Sequence, residues 1–101
     1  MAVVTVQEFE VEEDDLSTTN YDSVSERLNA KADPPAGLIV HTAGFTGKGQ
    51  FRIVDVWESE QNWQSFRDGR LAAAVKPVIE SGEGAPPSAE YSYELHDVIK
   101  P

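Results

Sequence analysis

The chain has 101 residues, no cysteine and a formal net charge of −10, with 18 Asp and Glu against 8 Lys and Arg. That length suits one domain (1–101) with one core, and the missing thiols exclude disulfides and thiolate chemistry. The negative field repels phosphate backbones and anionic lipid, so no nucleic-acid or membrane partner is expected.

No apolar run approaches the roughly 20 residues that cross a bilayer. The start, MAVVTVQEFEVEEDD, has neither a basic n-region nor a small-residue cleavage site, and a cytoplasmic location is expected. Residues 2–11, AVVTVQEFEV, are rich in β-formers and free of breakers, and read as a first strand. The acids Glu8, Glu10, Glu12, Glu13, Asp14 and Asp15 read as a solvated strand end and loop. They lack the D-x-[DN]-x-[DN]-G spacing of a calcium loop.

Thr18, Thr19 and Asn20 are candidate helix caps, because their side-chain oxygens can accept from unpaired helix N–H groups. Tyr21, Val24 and Leu28 then fall on one helical face, and the helix must stop near Asp33, before Pro34 and Pro35. GLIVHTAGF (37–45) reads as the second strand, TGKG (46–49) as a turn, and QFRIVDVW (50–57) as the third strand. Ser59 caps a second helix, with Glu60 near its positive end. Trp63, Phe66, Leu71, Ala74, Val75 and Val78 give that helix an apolar side, and Pro77 is expected to end or kink it. ESGEGAPPS (80–88) is a loop by composition. EYSYELHDVIK (90–100) reads as the last strand, with Tyr91, Tyr93, Leu95 and Ile99 alternating.

The order β-α-β-β-α-β implies an α+β, ferredoxin-like fold: a four-stranded antiparallel sheet with two helices on one face. The other face stays bare unless a second subunit covers it, and Val-, Ile- and Phe-rich strands are not what water-facing sheet looks like, which implies a homodimer packed sheet to sheet. The run DVWESEQNWQSFRDGRL (55–71), after a G-L-I-V-H strand and hairpin, resembles the dimeric α/β-barrel superfamily, in the branch of antibiotic-biosynthesis monooxygenases. The residues that carry the likeness are Trp57, Ser59, Trp63 and Phe66, and the topology extends it over nearly the whole chain. Members include cofactor-free quinone-forming oxygenases, heme-degrading enzymes, isomerases, cyclases and proteins of no known activity, so the fold does not choose the chemistry. The heme-degrading members carry a tryptophan and an iron-binding histidine on the second helix. Here the matching positions hold Phe66 and Lys76, and a protonated lysine is a poor iron ligand, so heme is not expected.

His41 sits mid-strand in an apolar run, where its ring nitrogens need partners. A three-residue hairpin loop ending in Gly49 places His41 opposite Asp55, whereas a loop of two or four residues places it opposite Val54. Loops that end in glycine are common in hairpins, which favours the first. Asp55 would then orient His41 as a general base, with Phe45, Phe51 and Trp57 on the same face as an aromatic lining. Trp63 and Phe66 would line the pocket from the helix. A buried structural pair is the other role open to His41 and Asp55. His96, on the last strand, reads as a satisfied or exposed strand residue. No His, Asp or Glu set has metal-ligand spacing, and neither a nucleophile elbow nor a phosphate loop is present, so no metal and no cofactor is expected. Two functions follow. One is a domain binding a small aromatic or hydrophobic ligand, acting as a cofactor-independent oxygenase, isomerase or cyclase on an aromatic or polyketide-like compound. The alternative is a non-catalytic dimeric structural or stress-related domain.

Overall fold

The computed structural model describes residues 1–11, 18–47, 49–82 and 86–100. The acids Glu12, Glu13, Asp14 and Asp15 and the turn residue Lys48 lie outside the described residues. Strand β1 (Val3–Glu10) is followed by α1 (Thr19–Leu28), β2 (Leu38–Gly47) and β3 (Gln50–Trp57). Helix α2 (Glu60–Phe66) then runs through a π-helical turn, Arg67–Leu71, into α3 (Ala72–Glu80), and β4 (Ala89–Glu94) closes the order. The sheet is antiparallel throughout, in the order β2-β3-β1-β4. This is the ferredoxin-like arrangement that the sequence pattern implies.

Alternation along the strands separates two faces. Odd residues of β3 (Phe51, Asp55, Trp57) are buried beneath the helices. The core there is Val3, Trp57 and Trp63, with Leu38, Phe66 and Leu71 packed against it. Even residues of β1 and β3 form the open face, Val4, Val6, Val54 and Val56, joined by their register partners Val40 on β2 and Tyr91 and Tyr93 on β4. Val40, Tyr91 and Tyr93 are exposed there.

Three boundaries differ from the sequence expectation. The last strand stops at Glu94, because its partner β1 begins at Val3, opposite Glu94. Leu95 makes one further contact, from its N–H to the Ala2 carbonyl at 2.9 Å. His96 and Ile99 therefore lie beyond the sheet. Helix α1 ends at Leu28 rather than near Asp33, because Asn29 takes a left-handed conformation at φ 52°. Pro77 does not end its helix, which continues to Glu80. A proline removes one N–H and frees one carbonyl, here that of Ala73; both residues are exposed, so water can satisfy it.

Two details fix the junctions around the site. Ser59 caps α2 by accepting from the Asn62 N–H at 3.2 Å. Gly37, at φ 81°, starts β2 and accepts from the Glu58 N–H at 2.8 Å.

Candidate functional site

The hairpin sets the site. Gly49 adopts φ 80°, the left-handed conformation the turn requires. The ladder closes at Gly47↔Gln50 rather than at Thr46 and Gln50, so the connection spans residues 48 and 49. An irregularity between Phe45 and Gly47 absorbs the extra residue. The net register is the one that a three-residue loop would give: Phe45↔Phe51 and His41↔Asp55.

His41 and Asp55 meet through their side chains, with His41 Nδ1 2.5 Å from Asp55 Oδ1. The Asp55 side chain is 7% exposed and that of His41 41%. An ionised carboxylate can only accept, so Nδ1 carries a proton and Nε2 is the atom free to accept one. Nε2 faces the hydroxyl of Tyr21 at 2.5 Å. The two rings are parallel within 3° with centroids 6.1 Å apart, an end-to-end arrangement joined by that hydrogen bond. Tyr21, on α1, thus completes a chain of phenol, imidazole and carboxylate.

The electrostatics follow from this geometry. The hydrogen bond to Asp55 raises the His41 pKa, burial opposes the rise, and the charge of Asp55 adds to it. Burial raises the Tyr21 pKa, and the charges of Asp55 and Asp22 raise it further. Tyr21 is therefore a neutral hydroxyl near neutral pH, able to donate to Nε2.

Aromatic residues lie on both sides of the chain. Phe51 packs against Tyr21 at 5.4 Å between centroids and against Phe45 at 5.0 Å, edge to face. Beyond Asp55, Trp57 packs on Trp63 at 5.8 Å and on Phe66 at 5.3 Å. Trp57 Nε1 donates to the Thr5 hydroxyl at 3.2 Å, and Thr5 is the register partner of Asp55 on β1. The structure thus groups Phe45 and Phe51 with His41. It places Trp57 and Trp63 in the core, at 1% and 3% exposure, where they offer no surface to a ligand.

Two depressions flank Arg70 instead. One, of about 290 Å³, is lined by Arg27, Leu28, Arg70, Ala73 and Ala74. The other, of about 160 Å³, is lined by Pro35, Ala36, Asn62, Ser65, Phe66 and Arg70. Of the residues expected to line a pocket, only Phe66 borders either one. Arg70 donates to the carbonyls of Leu28 and Asp33, both at 2.9 Å, and so ties the C-terminal end of α1 to the helical layer. Among the described residues, no group of three or more His, Cys, Asp or Glu could hold a metal ion, and no helix is long and apolar enough to cross a membrane.

The sequence reading missed Tyr21 as a site residue. Its helical spacing placed it with Val24 and Leu28 on one helical face and gave its hydroxyl no role. The available signal was the phenol itself, since a tyrosine facing a sheet that carries a histidine has a hydroxyl to satisfy.

No protein-family profile matches the chain, and no curated protein matches it in sequence. Solved structures do match. A protein of unknown function from Nitrosomonas europaea is 20% identical, with 99% of this chain and 94% of that one covered and a TM-score of 0.71. A monooxygenase from Streptomyces coelicolor, in complex with nanaomycin D, is 20% identical over 99% of this chain and 92% of that one, with a TM-score of 0.67. A dimeric protein of unknown function and ferredoxin-like fold from Bacteroides fragilis is 13% identical over 93% of this chain and 96% of that one, with a TM-score of 0.62. The chain thus has the ferredoxin-like fold found in antibiotic-biosynthesis monooxygenase-type proteins.

Proposed function

We propose that the chain binds an aromatic or polyketide-like compound beside His41 and that His41 takes the proton of an acidic phenol or enol on it. The observation that carries this reading is the Tyr21–His41–Asp55 chain, with Asp55 buried and His41 half-exposed. Asp55 orients the imidazole, and its raised pKa brings Nε2 closer to the range in which a base works at neutral pH. Phe45 and Phe51 supply the apolar wall, while Trp57, Trp63 and Phe66 back Asp55 from the core. Loss of the phenolic proton makes a ring carbon electron-rich. That carbon can bond dioxygen, and departure of the ring proton with one oxygen as water leaves a quinone. One phenol and one dioxygen give one quinone and one water, with no further reductant. Isomerisation or ring closure of an enol would use the same proton transfer. The monooxygenase that shares the fold was solved with nanaomycin D, which supports a ligand role for this architecture.

The test is a panel of hydroxylated naphthalenes and anthracenes, followed by tryptophan fluorescence and oxygen uptake, with wild type and the His41→Ala variant. Saturable binding with turnover reduced about 10²–10⁴-fold in the variant supports the reading. Equal behaviour of the two proteins, or no binding at all, overturns it.

One observation favours a second reading. Both ring nitrogens of His41 already have partners within the chain, so the network is closed without a ligand. A purely structural network would make His41→Ala a stability change of about 1–3 kcal/mol, with no binding function to lose.

We infer in addition that two copies pair through the open sheet face. Its exposed Val40, Tyr91 and Tyr93 surround the apolar residues Val4, Val6, Val54 and Val56. Arg52 lies on the same face, paired with Glu8 at 2.7 Å, and among the described residues its buried Nε has no acceptor. A second copy would cover the apolar surface, at about 25 cal/mol per Å², and could meet that donor. The dimeric protein that shares the fold supports the inference.

A further inference from the structure

Tyr21 is itself a phenol, and it sits where the proposed ligand's hydroxyl would sit. We propose that Tyr21 is a built-in occupant of a phenol subsite on His41 Nε2, and that a ligand phenol enters by displacing it. The proposal rests on the reading of His41 as a ligand-binding group.

Three observations converge. The Tyr21 hydroxyl lies 2.5 Å from Nε2, and the phenol and imidazole planes agree within 3°. A ring entering hydroxyl-first would adopt that same hydrogen bond. The Tyr21 ring also rests on Phe51, which in turn meets Phe45, so the aromatic surface beside His41 is occupied by a single six-membered ring. Finally, α1 lies at the surface of the fold. It contains no buried residue, and Thr18 makes no side-chain capping bond to the helix N–H groups. The Thr18 hydroxyl instead donates to Asp22 within the same segment. Arg70 grips the Leu28 and Asp33 carbonyls at the C-terminal end of α1, away from Tyr21. Tyr21 can therefore leave by a side-chain rotation without opening the core.

The arrangement selects ligands by acidity. Burial and two carboxylates hold the Tyr21 proton on its oxygen, so Tyr21 donates to His41 without ionising. A more acidic phenol in the same place can transfer its proton outright. Occupancy by Tyr21 also weakens the apparent affinity of any ligand by the fraction of molecules in which the subsite is open.

The test uses p-cresol, the free equivalent of a tyrosine side chain, with toluene as the control lacking the hydroxyl. Binding to the full chain is followed by NMR of the ligand's own signals in wild type, Tyr21→Phe and Tyr21→Ala. The expected order of p-cresol affinity is wild type, then Tyr21→Phe, then Tyr21→Ala, with about tenfold or more between the ends. Toluene should gain less than p-cresol. Adding His41→Ala to Tyr21→Ala should remove the gain. Should Tyr21→Ala not fold, the conservative Tyr21→Phe decides alone, because loss of the hydroxyl bond must raise p-cresol affinity above wild type. No gain in either variant, or an equal gain for toluene, overturns the proposal. If larger hydroxylated compounds still bind wild type through His41, that overturning leaves the ligand site intact. A gain for p-cresol without any binding of larger compounds keeps the subsite and overturns the larger ligand class.

Discussion

Asp55 faces His41 twice: as its register partner between β2 and β3, and as the acceptor of its Nδ1 proton at 2.5 Å. Backbone pairing places the two residues opposite each other whether or not the side chains bond. The position of His41 opposite Asp55 is therefore a property of the hairpin, and the orientation of its ring a property of the Asp55 hydrogen bond.

The first prediction concerns pH. The His41 pKa is raised above the usual 6.5, first by the Asp55 hydrogen bond, against burial, and then by the Asp55 charge. The folded state thus holds this proton more tightly than the unfolded state. The resulting stabilisation is complete below the unfolded value and is lost as pH rises through the folded one. Urea unfolding at a series of pH values should show stability falling over that window. In Asp55→Asn, the NMR titration midpoint of His41 should drop and this pH dependence should shrink.

Gly37 supplies the second. It holds φ 81°, and a Cβ there would lie 2.3 Å from Asn62 Cγ and 2.7 Å from Asn62 Cβ. Asn62 cannot yield cheaply, since its N–H is bound by the Ser59 cap and its Oδ1 accepts from the Ser59 hydroxyl at 2.6 Å. Gly37→Ala should cost about 1–3 kcal/mol through backbone strain alone, with the clash adding to it. Thermal unfolding measures the loss. An unchanged midpoint would mean that the β2 start relaxes freely.

A third follows from Arg70. Replacing it with alanine strips the Leu28 and Asp33 carbonyls of their donor while leaving Trp57 and Trp63 in place. Amide exchange should quicken across α1 well before it quickens in β1 or β3. Uniform acceleration across all elements would show that the clamp supports the whole fold rather than α1.

The fourth addresses assembly. Tyr93 is 55% exposed on the open sheet face, opposite Val4. Tyr93→Arg should weaken a sheet-to-sheet dimer, since two copies of the new charge would be buried near each other. Sedimentation velocity should find wild type as a dimer at low micromolar concentration and the variant shifted toward monomer. A wild-type monomer at that concentration would remove the dimer altogether.

Much of this was legible in the residues because the signals were local. TGKG announces a tight hairpin, and glycine at position 49 takes its left-handed turn; the irregularity between Phe45 and Gly47 then brings His41 opposite Asp55. Alternation put Phe51, Asp55 and Trp57 on one face of β3, as found, although the irregularity between Leu38 and Val40 breaks it at the start of β2. Ser59 was readable as a cap because capping depends on neighbours in sequence. What failed was non-local. Alternation continues through Leu95 and beyond, yet a strand needs a partner, and β1 supplies none past Val3. The Tyr21–His41 bond depends on how α1 docks on the sheet, which helical periodicity does not encode. Trp57 read as aromatic lining and Trp63 as a core residue that could also wall a pocket; both are buried in the core, at 1% and 3% exposure.

The place of β1 has a consequence for how the chain reaches its structure. This early strand lies inside the sheet, between β3 and β4, and Val3 pairs with both Trp57 and Glu94. On a growing polypeptide it must wait for almost every other element before its second edge is paired. Folding is therefore dominated by long loop closures, which place a chain at the slower end for its size. During that wait, the apolar run Val3–Val4–Thr5–Val6 stands with an unpaired edge. The acids that follow it, Glu8 and Glu10, place like charges beside that run, which disfavours edge-to-edge pairing of unfinished chains.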